Sequence, residues 1–142
     1  MNQKGQTLAE IVVALGIVLL LVTGLIGGGT TAIRTSDQSR LRSLAVSYNQ
    51  EAIELTRKLR DENWTEFHDM TGLWCLDKDG VWTQAITACP INIDNTFTRA
   101  VTFSWNETNL RMDIVSVVSW QDGGATHQST LTTFFTEWTI NI

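Results

Sequence analysis

Hydrophobic residues near the start of the chain form a continuous run without a polar face. No ionisable residue occurs between Glu10 and Arg34, so residues 11–33 are uncharged throughout. In a helix rising 1.5 Å per residue this stretch would measure about 34 Å, which is enough to cross the hydrocarbon core of a bilayer. The pattern predicts a membrane-spanning helix close to the amino terminus.

After this run the apolar residues recur at steps of three and four, which is the period of an amphipathic helix. They are Leu41, Leu44 or Ala45, Tyr48, Ala52, Leu55 and Leu59. Joined to the apolar run, they predict one long helix from about Thr7 to about Asn63. Glycine costs about 1 kcal/mol relative to alanine inside a helix, so we expect Gly27, Gly28 and Gly29 to loosen or break it locally.

Beyond Asn63 the apolar period shortens to two, as in strands with one buried face. Residues 73–76 and 81–83 flank the sequence Asp-Lys-Asp-Gly and predict a hairpin, since Asp-Gly is a favoured turn pair. Further strands are predicted at residues 97–105, 110–120 and 131–142. The expected fold class is α+β, with a long amino-terminal helix, membrane-spanning in its first half, packed against an antiparallel sheet.

The charge distribution bears on topology and on partners. The net charge is −5, and residues 64–142 hold nine acids against three bases. An acidic domain repels phosphate backbones, so no nucleic acid partner is predicted. Lys4 and the terminal amine precede the apolar run, which favours a cytoplasmic amino terminus with everything after Arg34 outside.

The two cysteines, Cys75 and Cys89, lie in the part predicted to be extracytoplasmic. In an oxidising compartment they would form a disulfide, and closing a loop of about 15 residues would stabilise the fold by roughly 3 kcal/mol. Two free buried thiols are the alternative. The bridge is favoured because the topology predicts the compartment independently of the cysteines.

Three structures are compatible with the amino-terminal segment: a transmembrane anchor, a secretory signal peptide or a buried core helix. A signal peptide would use Lys4, residues 11–22 and the small residues 30–32 as its three regions. Glu10 argues against it, because an acid at the start of the apolar region opposes the usual charge gradient. An ionisable group costs about 2.5 to 3.5 kcal/mol at the bilayer centre, so such a residue predicts a functional role and a charged partner.

Residues 4–10, Lys-Gly-Gln-Thr-Leu-Ala-Glu, followed by an apolar helix, resemble the amino terminus of type IV prepilins and of the pseudopilins of type II secretion. The shared features are a short basic leader, Gly before the cleavage site, Thr-Leu after it and Glu at the fifth mature position. The resemblance implies that prepilin peptidase cuts between Gly5 and Gln6 and methylates the new amine of Gln6. Gln6 departs from the Phe or Met usual at this position.

The resemblance also implies an organisation and a set of partners. The implied parts are a leader at 1–5, a transmembrane and assembly half of the helix at 6–33, an amphipathic half at 34–63 and a β-sheet head at 64–142. Glu10 would pair with the free amine of a neighbouring subunit, while Leu8 and residues 11–22 provide the helix-to-helix surface. The partners would be other pilin subunits, the prepilin peptidase and a membrane assembly platform. The sheet resembles those of minor pilins more loosely.

The sequence shows few features of an enzyme or of a metal or cofactor site. His68 and His127 are isolated, and no nucleophile elbow, phosphate loop or CxxC motif occurs, so we expect no enzymatic activity, no cofactor and no metal site. Most of the six tryptophans fall in predicted strands, where sheet packing is their usual role. The alternative function is a membrane-anchored or secreted β-domain that binds a ligand through its tryptophans.

Overall fold

The computed structural model of the chain describes residues 3–137, with the side chains of residues 8–29 and 31–137. Its first element is a single helix, α1, at Gln3–Glu62. The predicted long helix is therefore confirmed. The chain forms two compact units, Met1–Arg40 and Leu41–Ile142, and α1 contributes residues to both.

The expected interruption of α1 at the glycine triplet is wrong. Helical structure continues through Gly27, Gly28 and Gly29, and the hydroxyl of Thr31 donates a hydrogen bond to the carbonyl of Gly27 at 3.1 Å. A break would create two new helix ends, each with several unpaired backbone groups. Over the triplet, that loss outweighs a propensity cost of about 1 kcal/mol per glycine.

A short helix, α2 at Trp64–Asp69, follows α1 and was not predicted from the sequence. Asn63 caps it: its side-chain oxygen accepts a hydrogen bond from the backbone N–H of Glu66 at 3.2 Å. Phe67 is buried and fastens α2 to the core. Six residues are too few for a helical period to be recognised in a sequence.

The sheet has five antiparallel strands in the order β2-β1-β3-β4-β5. They are β1 Gly72–Leu76, β2 Trp82–Ala85, β3 Phe97–Asn106, β4 Arg111–Asp122 and β5 Ala125–Phe135. Only β3, β4 and β5 form a meander. The first hairpin joins the sheet through β1, so the connection from β2 to β3 has to pass across β1.

The predicted hairpin and the two central strands are confirmed. In the β1–β2 turn the carboxylate of Asp77 accepts hydrogen bonds from the N–H groups of Asp79 at 2.9 Å and Val81 at 2.8 Å. Gly80 follows with φ +81°, a conformation that favours glycine. Leu110, predicted to begin the fourth strand, lies instead in the preceding turn with φ +48°.

The last strand begins earlier than predicted, at Ala125 instead of residue 131. Its first half is polar. Among the described strands β5 pairs only with β4, and much of it faces solvent. The turn before it consists of Gly123 and Gly124, whose φ values of +59° and +81° match a two-residue hairpin turn. The predicted end of this strand, including Trp138, lies outside the described residues.

The core of the second unit lies between the sheet and residues 41–62 of α1. One cluster gathers Ala52, Ile53, Phe67, Met70, Leu76, Val101, Phe103, Met112, Ile114 and Phe135. A second contains Ala45, Ile93, Phe97, Val118 and Trp120. The helical stripe seen in the sequence thus faces the sheet, which confirms the α+β class.

Candidate functional site

The first unit presents a continuous apolar surface. Every described side chain from residue 8 to residue 33 is exposed, and Leu20 and Leu25 are 74% and 77% exposed. The mean hydropathy reaches 2.7 over an 18-residue window, which makes α1 long and apolar enough to cross a membrane. So large an exposed apolar surface indicates contact with lipid or with other apolar helices.

The hydroxyl groups of Thr23, Thr31 and Thr35, in and just after this segment, form hydrogen bonds within the helix itself. The Thr23 hydroxyl donates to the carbonyls of Leu19 and Leu20 at 2.9 and 3.0 Å, and Thr35 donates to Thr31 at 3.0 Å. An unpaired polar group in hydrocarbon would cost several kcal/mol. Because these hydroxyls are already bonded, the threonines do not oppose burial in an apolar environment.

Glu10 stands at the edge of the apolar surface with its side chain exposed. Among the side chains that the structure describes, no cation forms an ion pair with it, and the next charged residue is Arg34, about 36 Å along the helix. Leu8 lies on the same segment and is 67% exposed. Val13 and Ile17 follow Glu10 on one helix face. If lipid or other helices cover this face, the carboxylate needs a positive partner from outside the described side chains.

The predicted cleavage and methylation residues, Gly5 and Gln6, lie in the first turns of α1. Their backbone is helical, but the side chain of Gln6 lies outside the described part of the structure. Processing at this bond stays a prediction.

The predicted disulfide between Cys75 and Cys89 is confirmed, with the two Cα atoms 5.4 Å apart. Cys75 belongs to β1, and Cys89 lies in the connection that leaves β2 for β3. That connection has no strand or helix of its own over residues 86–92. The bridge therefore fastens an irregular crossing segment to the strand that it passes.

Replacing both cysteines by serine should lower the free energy of unfolding of the second unit by about 2 to 3 kcal/mol, because the unfolded chain would regain the entropy of a loop of about 15 residues. Chemical denaturation of the full chain measures the loss. The single variants serve as controls and should behave alike, since either one opens the same loop. Unchanged stability in the double variant would contradict this role for the bridge.

Arg99 is the most informative residue that sequence reasoning missed. It is fully buried, and its guanidinium donates to the carbonyls of Leu76 at 3.1 Å and Tyr48 at 3.1 Å, and also to that of Asp77. It forms an ion pair with Glu51 at 2.8 Å. One side chain of β3 thus joins α1 to the end of β1. In the sequence, the only sign of this role was an arginine at a position where the alternation of the strand predicts an apolar residue.

A side-chain amide forms hydrogen bonds with the backbone of Arg99. Beyond the end of β1, the side chain of Asn92 takes the place of a strand: its oxygen accepts from the N–H of Arg99 at 2.8 Å, and its nitrogen donates to the Arg99 carbonyl at 3.0 Å. This pairing satisfies both backbone groups of Arg99 on that side and holds the residue in place.

A second buried polar contact fixes α1 to the other end of the sheet. Asn49 is 1% exposed; its amide nitrogen donates to the carbonyl of Ser129 at 2.9 Å, and its oxygen accepts from the Ser116 hydroxyl at 2.7 Å. Its position in the stripe, four residues after Ala45 and three before Ala52, could have revealed its burial. Its partners could not be read from the sequence.

A surface network joins α1, the β1–β2 turn and the crossing segment. Asp94 accepts hydrogen bonds from Tyr48, at 2.8 Å, and from Lys78. The bond from Lys78, and then that from Tyr48, lowers the pKa of Asp94, while the same bond raises the pKa of Lys78. Burial and the bond to Asp94 raise the pKa of Tyr48. The contribution of Asp94 to stability is therefore present above its ordinary pKa and is lost as the pH falls through the lowered value.

Both histidines pack against tryptophan rings. His68 lies edge-on to Trp105, with ring centroids 4.4 Å apart, and His127 stacks on Trp120 at 5.6 Å. Within residues 3–137 no cluster of His, Cys, Asp or Glu is arranged to hold a metal ion. No family model matches the chain, and no match was found among curated proteins or solved structures.

Proposed function

We propose that the protein is a structural subunit, a minor pilin or pseudopilin, of a type IV pilus or a type II secretion pseudopilus. Before assembly its amino terminus faces the cytoplasm and its disulfide-bonded head lies outside the membrane. Prepilin peptidase removes residues 1–5 and leaves Gln6 as the new, methylated terminus. The observation that carries the proposal is that residues 11–33 carry no charge and that their described side chains are all exposed, directly after a single acid, Glu10.

The exposed helix surface supports assembly as well as anchoring. Lipid covers it while the subunit waits in the membrane, and the helices of neighbouring copies cover it in a filament. Gly16 and Gly24 have open space around them, so another helix could approach the backbone closely there. A contact between two different surfaces of identical subunits repeats without closing and produces a fibre.

Glu10 supports a defined register in that fibre. Cleavage after Gly5 would create a free amine four residues before Glu10, and the same amine on a neighbouring copy supplies the missing cation. An isolated carboxylate in a low-dielectric environment is penalised, whereas a closely placed pair of opposite charges attracts strongly. The penalty disfavours every register in which the acid remains unpaired.

Mass spectrometry of the full chain, recovered from cells with and without the prepilin peptidase, tests the proposal. With the peptidase we expect loss of residues 1–5, accompanied by one added methyl group; without it we expect the intact chain. Gly5→Leu should block processing, because a side chain replaces the hydrogen at the cleavage site. Ala32→Leu is the matched control and should leave processing unchanged.

A second candidate is the membrane-anchored or secreted β-domain that binds a ligand, favoured by a cleft lined by Trp74 and Trp82. The same spectra separate the two functions. Cleavage after Ala32 would indicate secretion, and an uncut chain in cells that contain the peptidase would indicate a plain anchor. Either result would exclude the pilin proposal.

A further inference from the structure

The second unit contains an open cleft of about 390 Å³ between the end of α1, α2 and the β1–β2 edge of the sheet. Its lining combines two tryptophans, two acids and two aliphatic side chains: Trp74, Trp82, Glu66, Asp69, Leu59 and Met70. The volume falls within the range of small ligand sites. The described residues that line it include no base.

The two indoles lie on one face of the sheet. Trp82 is opposite Leu76, and Trp74 lies two positions before Leu76 on the same strand, so the rings are diagonal neighbours. The indole N–H of Trp74 donates to the Thr71 carbonyl at 3.1 Å, and Trp82 packs edge-on to Phe103 at 5.6 Å. Both rings are held in place yet remain partly exposed.

The two carboxylates stand on the opposite wall. Glu66 and Asp69 are three residues apart on α2 and therefore share a helix face. Asp69 is 78% exposed and lies 3.6 Å from the ring nitrogen of His68, while Glu66 accepts one long hydrogen bond, 3.4 Å, from the Asn63 amide. Neither is paired with a lysine or arginine among the described residues.

We propose that this cleft binds the side chain of a lysine or arginine presented by another protein chain. The cation would lie against the indole faces, where the ring quadrupoles attract it, and near the two carboxylates. Its aliphatic stem would pack on Leu59 and Met70. Recognition of a basic partner also fits the excess of acids in residues 64–142.

We expect the cation to come from another chain, because most bases of the second unit are already engaged. In residues 64–142, Lys78 pairs with Asp94, Arg99 with Glu51 and Arg111 with Asp113. At the end of α1, Arg57 pairs with Glu54, Lys58 with Glu62 and Arg60 with Asp61. An exposed cation–π contact raises affinity only about two- to fivefold, so an open cleft holds a free amine weakly. A protein partner supplies the remaining contacts. The proposal concerns the second unit and does not depend on filament assembly.

The test uses the uncleaved full chain in a non-ionic detergent, since detergents with quaternary ammonium headgroups would compete. N-acetyl-lysine methylamide is titrated against the ¹H–¹⁵N signals of the Trp74 and Trp82 indoles, identified with Trp74→Phe and Trp82→Phe. We expect saturable shifts of both signals. N-acetyl-norleucine methylamide has the same aliphatic stem without the charge. We expect its affinity to be lower by a factor of about five or more.

Glu66→Gln combined with Asp69→Asn should weaken lysine amide binding about fivefold and reduce its salt dependence. Glu107→Gln with Asp122→Asn changes the net charge equally at residues that do not line the cleft, and should leave binding unchanged. The proposal would be overturned if the norleucine amide bound as tightly as the lysine amide, or if the control variant lost as much affinity as the cleft variant. Absence of saturable shifts would also overturn it. Equally tight binding of n-butylamine and the lysine amide would also overturn the proposal, because the cleft would then be a site for free amines. Since the uncleaved chain is used, these results stand whatever the processing experiment shows.

Discussion

Replacing Arg99 by leucine will lower the free energy of unfolding of the second unit by about 3 to 5 kcal/mol. The leucine fills much of the space but leaves the carbonyls of Leu76, Tyr48 and Asp77 without the guanidinium that donates to them now; the first of these bonds is buried and the other two are partly buried. A buried acceptor that loses a donor carries a cost of desolvation. Equilibrium denaturation of the full chain, followed by tryptophan fluorescence, measures the loss.

Glu51→Gln provides the matched comparison, because it removes the charge of the partner but leaves Arg99 in place. The Glu51 side chain is 47% exposed, so its ion pair is partly screened by water and we expect a loss of about 1 kcal/mol. Arg99→Lys should fall between the two, since an ammonium cannot reach all three carbonyls in the geometry of a guanidinium fork. A leucine variant no less stable than Glu51→Gln would show that the carbonyl contacts contribute little.

On the proposed pilin function, we expect Glu10→Ala to leave membrane insertion and removal of residues 1–5 intact but to reduce the fraction of the protein in sheared filaments about tenfold or more. A tenfold loss corresponds to about 1.4 kcal/mol at each subunit contact, a modest share of what a charge pair in low dielectric can supply. Insertion should persist because the substitution removes a charge from the edge of an apolar helix. Quantitative blotting of membrane and filament fractions measures the distribution.

Two variants separate charge from shape at this position. Glu10→Gln keeps the size of the side chain and should fail like alanine. Val46→Ala removes volume from an exposed position of the same helix, outside residues 11–33, without touching charge, and should assemble nearly normally. Normal incorporation of both Glu10 variants would refute the pairing with a neighbouring amine. It would leave the apolar surface as the sole source of assembly.

Much of the secondary structure could be predicted because it follows from local pattern. The continuous apolar run and the stripe at helical spacing gave α1, and alternation gave β3 and β4 within a few residues of their bounds. The failures have local causes as well. The polar first half of β5 lacks apolar alternation because it lies at the edge of the sheet. The glycine triplet stays helical because helix formation is cooperative and the helix continues on both sides of it.

Some residues of the candidate site could likewise be recognised from the sequence, and others could not. Glu10, the uncharged segment behind it and the two cysteines are visible in the sequence, because charge in an apolar run and cysteine number do not depend on the fold. The contacts of Arg99 and Asn49 and the tryptophan cleft were not, since each joins residues that only the tertiary structure brings together. Arg99, for example, meets Glu51 across a separation of 48 residues.

By itself, then, the amino-acid sequence determined the long helix and most of the strands, which surface is apolar and that a lone acid stands at its edge. Each of these properties arises from neighbours within a few residues, where backbone geometry dictates which side chains share a face. Only the tertiary structure decided that β1 rather than β2 pairs with β3, and that a buried arginine holds helix and sheet together. Those pairings depend on which distant groups can satisfy one another once water is excluded, and a linear pattern does not contain that information.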